Sequence, residues 1–370
     1  MRNRLTLLPN VLAIAALLLV GCSRPPELVG IENPEIPAQA VPQLTQHRIF
    51  IASTRQASEV VGAFYSGDRA PDLGLASVDV TIPPNHVVGE LERPRRLPPD
   101  PRVEFTVVDP TVYTADTAFI AAVNAELAKR PKGERELLLF IHGYNNTASD
   151  SILRVAQFVE DTGFKGVPVL FSWASAAKTS RYVYDMNSAL TARVQVKEAA
   201  TLLTRTRAEG GNIFAHSMGN LLLMEGLVDA QHTGTLGRRL RIDNIMLASP
   251  DIDIDLFRSQ ISQLPEQIRN RMFLLISTDD KALRVSRLIA GGVPRVGAAQ
   301  TEELEKFGIT VIDLSKIEDS SSGSHSKFAG SPAVVQLIGA GLNSAGRFGE
   351  SSAPGLGQLL ADVPIRIIGN

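Results

Sequence analysis

The nine residues from Asn212 to Asn220, NIFAHSMGN, constrain the fold more than any other part of the chain. They combine a short apolar strand, a turn that carries Ser217, and the start of a helix-forming run that continues from Leu221 to Ala230. A serine placed between a strand and a helix requires a strained backbone, so the residues that flank it must be small. Ala215 and Gly219 meet that requirement. The layout therefore predicts a turn that holds the Ser217 hydroxyl above the edge of a sheet.

The five residues from Ala215 to Gly219 resemble the G-x-S-x-G pattern of a nucleophile elbow, the turn that presents a reactive serine. Alanine replaces the first glycine, which is a mild departure because alanine is still small. Five matching residues alone are weak evidence, since similar strings arise in any loop rich in serine and glycine. The strand and the helix on either side make a nucleophile the better interpretation of Ser217.

Length and charge narrow the class of protein. With 370 residues, of which 44% are hydrophobic and 21% charged, the chain is long enough for one large α/β domain or two small ones. The formal net charge is -2 and the isoelectric point is near 6.3. Nucleic-acid binding requires a basic face or stripe, so we expect no nucleic-acid partner.

Residues 1–21 have the pattern of a secretory signal peptide. Arg2 and Arg4 supply positive charge, and the apolar run from Val11 to Val20 is too short to span a bilayer stably. The segment ends in Leu-Val-Gly and is followed by Cys22, an arrangement that resembles the lipobox of bacterial lipoproteins. Cys22 is the only cysteine, so an intrachain disulfide is excluded and lipidation is the expected modification.

Lipid chains on Cys22 would anchor the protein to a membrane without a transmembrane helix, because each buried methylene contributes ~0.8 kcal/mol. The residue after the cysteine is Ser23 rather than aspartate. This choice resembles the outer-membrane sorting signal of lipoproteins of Gram-negative type. We therefore expect a lipid-anchored protein in the bacterial cell envelope, on the outer membrane and facing the periplasm.

Four regions are predicted along the chain: the signal peptide at 1–21, a lipidated cysteine with a flexible tether at 22–47, a folded domain at 48–345, and a tail at 346–370. Several prolines and little apolar periodicity characterise the tether. The domain opens with an N-terminal β-rich extension, in which strands are predicted at Arg48–Thr54, Leu75–Pro84 and Phe105–Val108. A helix from Asp116 to Arg130 follows, with an acidic start and a basic end.

Strands and helices then alternate regularly. LLLFIHG, VPVLFSW and NIFAHS are predicted strands, and each precedes a helical run, the first two near Ile152–Thr162 and Leu190–Arg207. Three more strands are predicted at Arg241–Ser249, Met272–Thr278 and Ile309–Ser315. Nearly continuous aliphatic strands that alternate with helices indicate an α/β fold with a mostly parallel central sheet covered on both faces.

Ligands in such sheets bind at the carboxyl ends of the strands. The strand LLLFI ends in His142, Gly143 and Tyr144, which resembles the HG turn that supplies one donor of an oxyanion hole. The second donor is the amide that follows the nucleophile. The expected oxyanion hole therefore consists of the backbone amides of Tyr144 and Met218.

Two of the six histidines follow Ser217 in the chain. In α/β-hydrolases, whose nucleophile elbow and HG turn these motifs resemble, the triad follows the order serine, acid and histidine. His232 precedes every good acid candidate, which argues against it. His325 lies in a polar loop after the last predicted strand, a setting that suits a base carried to the nucleophile. His325 is therefore the predicted base.

Two acidic stretches compete for the third position of the triad. STDDKAL follows the later strand, and the resemblance to α/β-hydrolases, in which the acid usually follows that strand, favours Asp280 as the acid. Asp253 in SPDIDID is the alternative acid, and Asp279 is third. Helix capping is the competing interpretation of Asp279 and Asp280. The alternating carboxylates of SPDIDID do not form an EF-hand, because Leu256 and Ser262 replace the required glycine and glutamate. No metal and no cofactor are expected.

These motifs together resemble the bacterial esterase/lipase-like branch of the α/β-hydrolase superfamily, whose substrates are poorly defined. The resemblance covers about Arg48 to Leu342 and implies the α/β-hydrolase fold, with Ser217, Asp280 and His325 as the triad. It is carried by FYSGDR, SVDVTIPPNH, HGYNN, FSWAS, the Tyr182–Asp185 segment, AHSMGN, SPDIDID, STDDKALRVSR and SHSKF.

The favoured interpretation is a serine hydrolase that cleaves an acyl ester, thioester or amide through an acyl-enzyme. The expected partner is a small-molecule or lipid-like acyl substrate, and Trp173, Tyr182 and Tyr184 are candidates for lining its pocket. Two alternatives remain open. A non-catalytic envelope lipoprotein would keep the fold as a binding scaffold, because a fold never proves an activity, and an acyltransferase would use the same residues.

Overall fold

The computed structural model of the protein describes residues 32–60, 62–238, 240–318, 323–343 and 365–368. The predicted signal peptide, Cys22 and Ser23 lie outside the described residues. Within the described ranges, no helix is long and apolar enough to cross a membrane.

Ten strands of the described residues form one sheet at the centre of the domain, in the order β10-β9-β8-β7-β6-β4-β5-β1-β2-β3. The strands from β9 across to β1 are parallel, and antiparallel strands flank them on both sides. The strands are β1 Thr45–Ala57, β2 Tyr65–Ile82, β3 Thr106–Tyr113, β4 Glu136–Ile141, β5 Val167–Ser172, β6 Gly210–His216, β7 Ile242–Ala248, β8 Met272–Ile276, β9 Thr310–Asp313 and β10 Arg366–Ile368.

Helices cover both faces of the sheet. They are α1 Asp116–Ala128, α2 Ala148–Thr162, α3 Tyr182–Thr191, α4 Arg193–Leu203, α5 Gly219–His232, α6 Ile254–Ser262, α7 Glu266–Arg269, α8 Lys281–Ile289, α9 Thr301–Leu304, α10 Lys327–Gly330 and α11 Pro332–Leu342. Short 3-10 helices occur at Ala38–Ala40, Thr179–Arg181, Val296–Ala298 and Glu305–Phe307.

The sheet separates two apolar cores. Along β4 the side chains alternate, so that Leu137 and Leu139 belong to the core shared with α1, α4, α5 and α6, while Leu138 and Phe140 belong to the core shared with α2 and α11. Both faces of the central strands are therefore buried. This explains why these strands appear in the sequence as nearly continuous aliphatic runs.

The N-terminal β extension is continuous with the parallel sheet. β1 pairs antiparallel with β2, from Thr45 opposite Ile82 to Ser53 opposite Gly74, and its other edge pairs in parallel with β5. The architecture predicted from the sequence, a mostly parallel sheet flanked by helices with a strand-rich N-terminal region, is confirmed.

Several boundaries differ from the sequence-based ones; β2, for example, begins at Tyr65 rather than at Leu75. β1 begins at Thr45, inside the predicted tether, and Ala38 in that tether is already buried. The predicted tail contributes β10, whose Arg366 pairs with Asp313 at the edge of the sheet. The helix predicted near residues 190–207 corresponds to α4, which begins at Arg193 and ends at Leu203, and residues 190 and 191 belong to the end of α3. In each case local pairing or packing, rather than composition, sets the boundary.

Candidate active site

Ser217 occupies a strained turn between β6 and α5. Its φ of 54° lies in the left-handed region, which non-glycine residues seldom adopt. Gly219 is required by close packing, because a Cβ at that position would lie 2.4 Å from the carbonyl oxygen of His142. The Ser217 amide donates to the carbonyl of Ala248 at 3.0 Å, and the Asn220 side chain donates to the Ser217 carbonyl at 3.1 Å. The turn is thus fixed to the neighbouring strand ends.

Ser217, His325 and Asp280 lie in one hydrogen-bonded series. Nε2 of His325 is 3.0 Å from Oγ of Ser217, and Nδ1 of His325 is 2.7 Å from Oδ2 of Asp280. Ser217 is 3% exposed and Asp280 is fully buried. With Nδ1 donating to the carboxylate, Nε2 faces the serine hydroxyl as a proton acceptor. The three residues that the sequence singled out are therefore adjacent.

The alternative acid, Asp253, lies elsewhere. It is the N-cap of α6, where its side chain accepts from the amides of Asp255 and Leu256, and it forms an isolated bridge with Arg295. Among the described residues it makes no contact with His325. Helix capping therefore accounts for Asp253 in this structure.

The turn after β4 packs directly against the nucleophile. A Cβ on Gly143 would lie 2.8 Å from Cβ of Ser217 and 2.9 Å from Nδ1 of His216, so only glycine fits there without displacement. The backbone amides of Tyr144 and Met218 donate to no acceptor within the described part of the chain. Two amides near a buried serine, both lacking a protein acceptor, have the properties expected of an oxyanion hole.

His142 holds the turn after β4 through contacts with Trp173 and Gly143. Its ring stacks on Trp173 with centroids 5.0 Å apart, and Nε1 of Trp173 donates to the carbonyl of His142 at 2.7 Å. Burial, assisted by the nearby Arg55 guanidinium, lowers the pKa of His142 to about 3. The ring is therefore neutral, and its Nδ1 lies 2.8 Å from the carbonyl of Gly143.

Asp185, a residue that sequence reasoning did not single out, fixes the other side of the turn. Its buried carboxylate accepts from the amides of Asn145 at 3.3 Å and Ala176 at 2.7 Å and from the hydroxyl of Ser175. Burial raises the pKa of Asp185, and these hydrogen bonds oppose that rise. Asn145 has a φ of 61°, so the turn after β4 contains a second left-handed residue that needs such support.

The three aromatic residues proposed for the substrate pocket have different surroundings. Trp173 is fully buried against His142, so it belongs to the core beneath the turn rather than to a pocket wall. Tyr184 packs under Arg69, whose guanidinium carbon lies 4.4 Å from the ring centroid. Tyr182 is buried too, but its ring contacts that of Tyr144 edge-on at 5.3 Å. Of the three, Tyr182 is next to the candidate oxyanion hole.

His216 contacts the backbone of the candidate base. Its Nε2 lies 3.1 Å from the carbonyl oxygen of His325, and the two rings are 4.8 Å apart. Burial keeps the pKa of His216 well below its ordinary value, so the ring is neutral and donates from Nε2 to this carbonyl. The position of His216 next to Ser217 in the sequence argues against a role as the base, because its ring cannot easily turn onto the adjacent hydroxyl, but the sequence gives no sign of the contact with His325.

Two other features lie away from the serine. An apolar cavity of about 420 Å³ between α4 and α5 has Leu137, Gly211 and Ile242 in its walls, all at the amino ends of their strands. It is therefore at the opposite edge of the sheet from Ser217.

In the described ranges, no group of three or more histidine, cysteine, aspartate or glutamate residues is arranged to hold a metal ion.

Comparison with known proteins places the chain in a family. A family model described as "Alpha/beta hydrolase of unknown function (DUF900)" matches residues 115–341. No curated protein matches the sequence significantly. Among solved structures, one from a study of two fungal esterases of Rhizomucor miehei has a TM-score of 0.34 and 13% identity, and covers 82% of this chain and 85% of its own.

An esterase from Pyrobaculum calidifontis has a TM-score of 0.35 and 10% identity, and covers 83% of this chain and 87% of its own. Likenesses at these TM-scores do not bear on activity. The family model, in contrast, spans more than half of the chain and includes Ser217, Asp280 and His325. The chain therefore belongs to the α/β-hydrolase family of unknown function, DUF900.

Proposed function

We propose that the protein is a serine hydrolase that cleaves a carboxylic ester, or a related thioester or amide, through an acyl-enzyme. One observation carries the proposal: the hydrogen-bonded series from Ser217 through His325 to the buried carboxylate of Asp280. A serine hydroxyl is a weak nucleophile until an adjacent base accepts its proton. The series supplies that base and the group that orients it.

The proposal assigns a residue to each step of acyl transfer. As Oγ of Ser217 bonds to the substrate carbonyl carbon, its proton moves to Nε2 of His325, and the carbonyl oxygen becomes an oxyanion. The amides of Tyr144 and Met218 stabilise that oxygen. His325 then donates the proton to the leaving group, which departs and leaves an acyl group on Ser217. Water then gives a proton to His325 as it attacks the acyl carbon. The bond between that carbon and Oγ of Ser217 breaks, His325 returns the proton to Oγ, and the carboxylic acid is released.

Asp280 acts on His325 rather than on the substrate. Its carboxylate holds the tautomer in which Nδ1 carries the proton, and it stabilises the imidazolium that forms when Nε2 accepts a second proton. Because Asp280 is fully buried, water does not screen this attraction. The buried carboxylate is compensated by the hydrogen bonds from His325 and from the amide of Leu283.

The substrate is proposed to be a small-molecule or lipid-like acyl compound, which Ser217 meets at the carboxyl edge of the sheet. The anchor at Cys22 stays a proposal from the sequence, because residues 1–31 lie outside the described ranges. It would hold the enzyme at the bacterial outer membrane, facing the periplasm, where acyl compounds of the envelope are within reach.

A fluorophosphonate probe tests the proposed function directly, because it reacts with serines that a neighbouring histidine activates. We expect the full-length protein to be labelled at Ser217, and S217A to lose the label while keeping its melting temperature. S259A, which changes an exposed serine on α6, is the matched control and should label normally. Weak turnover in S217A would be compatible with the proposal, since ~10³ to 10⁴-fold catalysis can persist without the triad. Labelling of another serine, or none in folded wild-type protein, would instead support the scaffold alternative.

A further inference from the structure

A buried lysine lies two residues after the candidate base. Lys327 is 1% exposed, although its neighbourhood in the sequence, SHSKF, has the composition of a polar loop. Its Nζ donates to Oδ1 of Asp279 at 3.0 Å, is 3.3 Å from Oδ2 of the same carboxylate, and donates to the carbonyl of Leu314 at 2.8 Å. A buried ammonium is very costly unless it is paired and hydrogen-bonded, so these contacts fix where Lys327 can lie.

Asp279 also binds the other side of the base. The hydroxyl of Ser324 donates to Oδ2 of Asp279 at 2.6 Å, and the hydroxyl of Ser277 donates to Oδ1. One carboxylate therefore contacts the residue before His325 and the residue two after it. Partial burial raises the pKa of Asp279, but the hydrogen bonds from Ser277, Ser324 and Lys327 outweigh this effect and lower it. The carboxylate is ionised at neutral pH.

The position of His325 depends on such contacts, because the residue lies outside regular structure. It precedes α10, and Ser324 has a left-handed φ of 73°, which a serine does not adopt readily. The two adjacent aspartates make different contacts, since Asp280 binds the imidazole ring and Asp279 binds the chain on both sides of it. Displacement of a reacting group by about 1 Å can cost ~10²-fold in rate, so the backbone around His325 must be held closely.

We propose that Asp279 and Lys327 act as a pair of positioning residues that hold His325 at the distance from Ser217 required for proton transfer. This role rests on the serine hydrolase function proposed above. It gives Asp279, the third acid candidate from the sequence, a role distinct from that of Asp280. It also explains why a lysine is buried beside the active site rather than exposed.

The first test measures kcat, KM and the rate of fluorophosphonate labelling for D279N, K327M and the double variant, all as full-length protein. We expect each single variant to lower kcat and the labelling rate by about 10- to 100-fold with little change in KM, because positioning of the base is lost while the substrate still binds. The double variant should be no slower than the slower single variant, since the two residues act as one unit. K316M, which removes an exposed lysine after β9, is the matched control.

The second readout is the pH profile of kcat/KM. A general loosening of the fold would not shift this profile in opposite directions in K327M and D279N. Among the described residues, the charged groups around His325 include Asp280, Asp279 and Lys327. Lys281 lies against Gly323 in the same loop, Arg154 is near His216, and His216 itself is neutral. K327M leaves the negative charge of Asp279 uncompensated, so the acidic limb of the profile should move to higher pH. D279N leaves the positive charge of Lys327, so the limb should move to lower pH.

If D279N or K327M does not fold, S324A still tests the proposal, because it removes one hydrogen bond to Asp279 without leaving a buried charge unpaired. It should slow labelling in the same direction, by a smaller factor. The positioning role is overturned if the wild-type protein is labelled at Ser217 while S324A and every other folded variant are labelled at the wild-type rate. The hydrolase function stands in that case. If wild-type protein does not label at Ser217, the proposed function itself fails. Limb shifts in the same direction for D279N and K327M would also overturn the pairing.

Discussion

One carboxylate oxygen of Asp280 lies 2.7 Å from Nδ1 of His325. The other oxygen accepts the amide of Leu283 at 2.9 Å, which makes Asp280 the N-cap of α8 as well. The sequence presents capping and acid as competing interpretations of this residue. In the structure the two contacts are made by different oxygens, so the hydrogen bond to α8 fixes the carboxylate in the position from which it contacts the histidine.

The substitution D280N separates these two contacts. Asparagine caps a helix about as well as aspartate, so we expect a melting temperature close to that of the wild type. It would hold His325 in the wrong tautomer, so kcat should fall by up to ~10⁴-fold. Steady-state kinetics and thermal unfolding of the same preparation check both parts of this expectation.

Asp253 provides the matched control, because it caps α6 without contacting His325 among the described residues. D253N should have a kcat close to that of the wild type. D253A should lose ~1 kcal/mol of stability while its turnover is preserved. Loss of turnover in D253N, with D280N merely destabilised, would make Asp253 the acid and refute the assignment of Asp280.

Methyl groups added at Gly143 and Gly219, the two glycines packed around Ser217, should disturb the serine turn. In G143A the new methyl would lie 2.8 Å from Cβ of Ser217, so we expect slower fluorophosphonate labelling and lower kcat. In G219A the methyl would lie 2.4 Å from the carbonyl of His142, so the protein should also lose stability. G211A, on the strand that leads into the turn, meets nothing nearer than 3.4 Å and should label at the wild-type rate. Wild-type labelling in G143A would show that the turn after β4 adapts and does not restrain the serine.

A third prediction concerns the proposed anchor. Because Cys22 is the only cysteine and follows Leu-Val-Gly, C22S should block lipidation and shift the protein from the detergent phase to the aqueous phase on partitioning. Intact mass spectrometry of the processed wild-type protein should show a lipid adduct at its first residue. A wild-type protein without that adduct would remove the basis for the outer-membrane assignment.

Local patterns explain what the sequence predicted well. The strand, turn and helix around Ser217 are contiguous, and the small residues that the turn requires are visible in the motif itself. The same holds for the central parallel strands, because strands buried on both faces must be continuously apolar. The order of the proposed triad residues along the chain is compatible with the sheet topology, which brings the ends of β6, β8 and β9 to one edge.

Long-range pairing explains what the sequence did not predict. β10 has three residues, and its place in the sheet depends on its match to β9 rather than on any periodicity of its own. Lys327 and Asp279 are 48 positions apart, so nothing near SHSKF shows that its lysine is buried. Asp185 was likewise not identified, because the amides it accepts from belong to two separate loops.

The last prediction concerns stability and pH. His86, in the segment between β2 and β3, has a side chain that is 8% exposed and lies 2.7 Å from both Glu92 and Asp161. Burial lowers the pKa of His86, but the hydrogen bonds to Asp161 and Glu92 outweigh that effect and raise it from 6.5 to about 9. Asp161 lies on α2, so the charged imidazole attaches this segment to the helix that covers one face of the sheet.

A histidine whose pKa is higher in the folded state than in the unfolded state stabilises the fold fully below the unfolded value, here 6.5, and the effect is lost as pH rises through the folded value of about 9. The contribution is on the order of 3 kcal/mol. We therefore expect the wild-type melting temperature to fall between pH 6.5 and 9 by more than that of H86Q, which lacks the titrating group. H232Q, which changes an exposed histidine at the end of α5, should keep the wild-type slope. Melting curves of wild type and H86Q that fall in parallel over this range would show that His86 is not the group responsible.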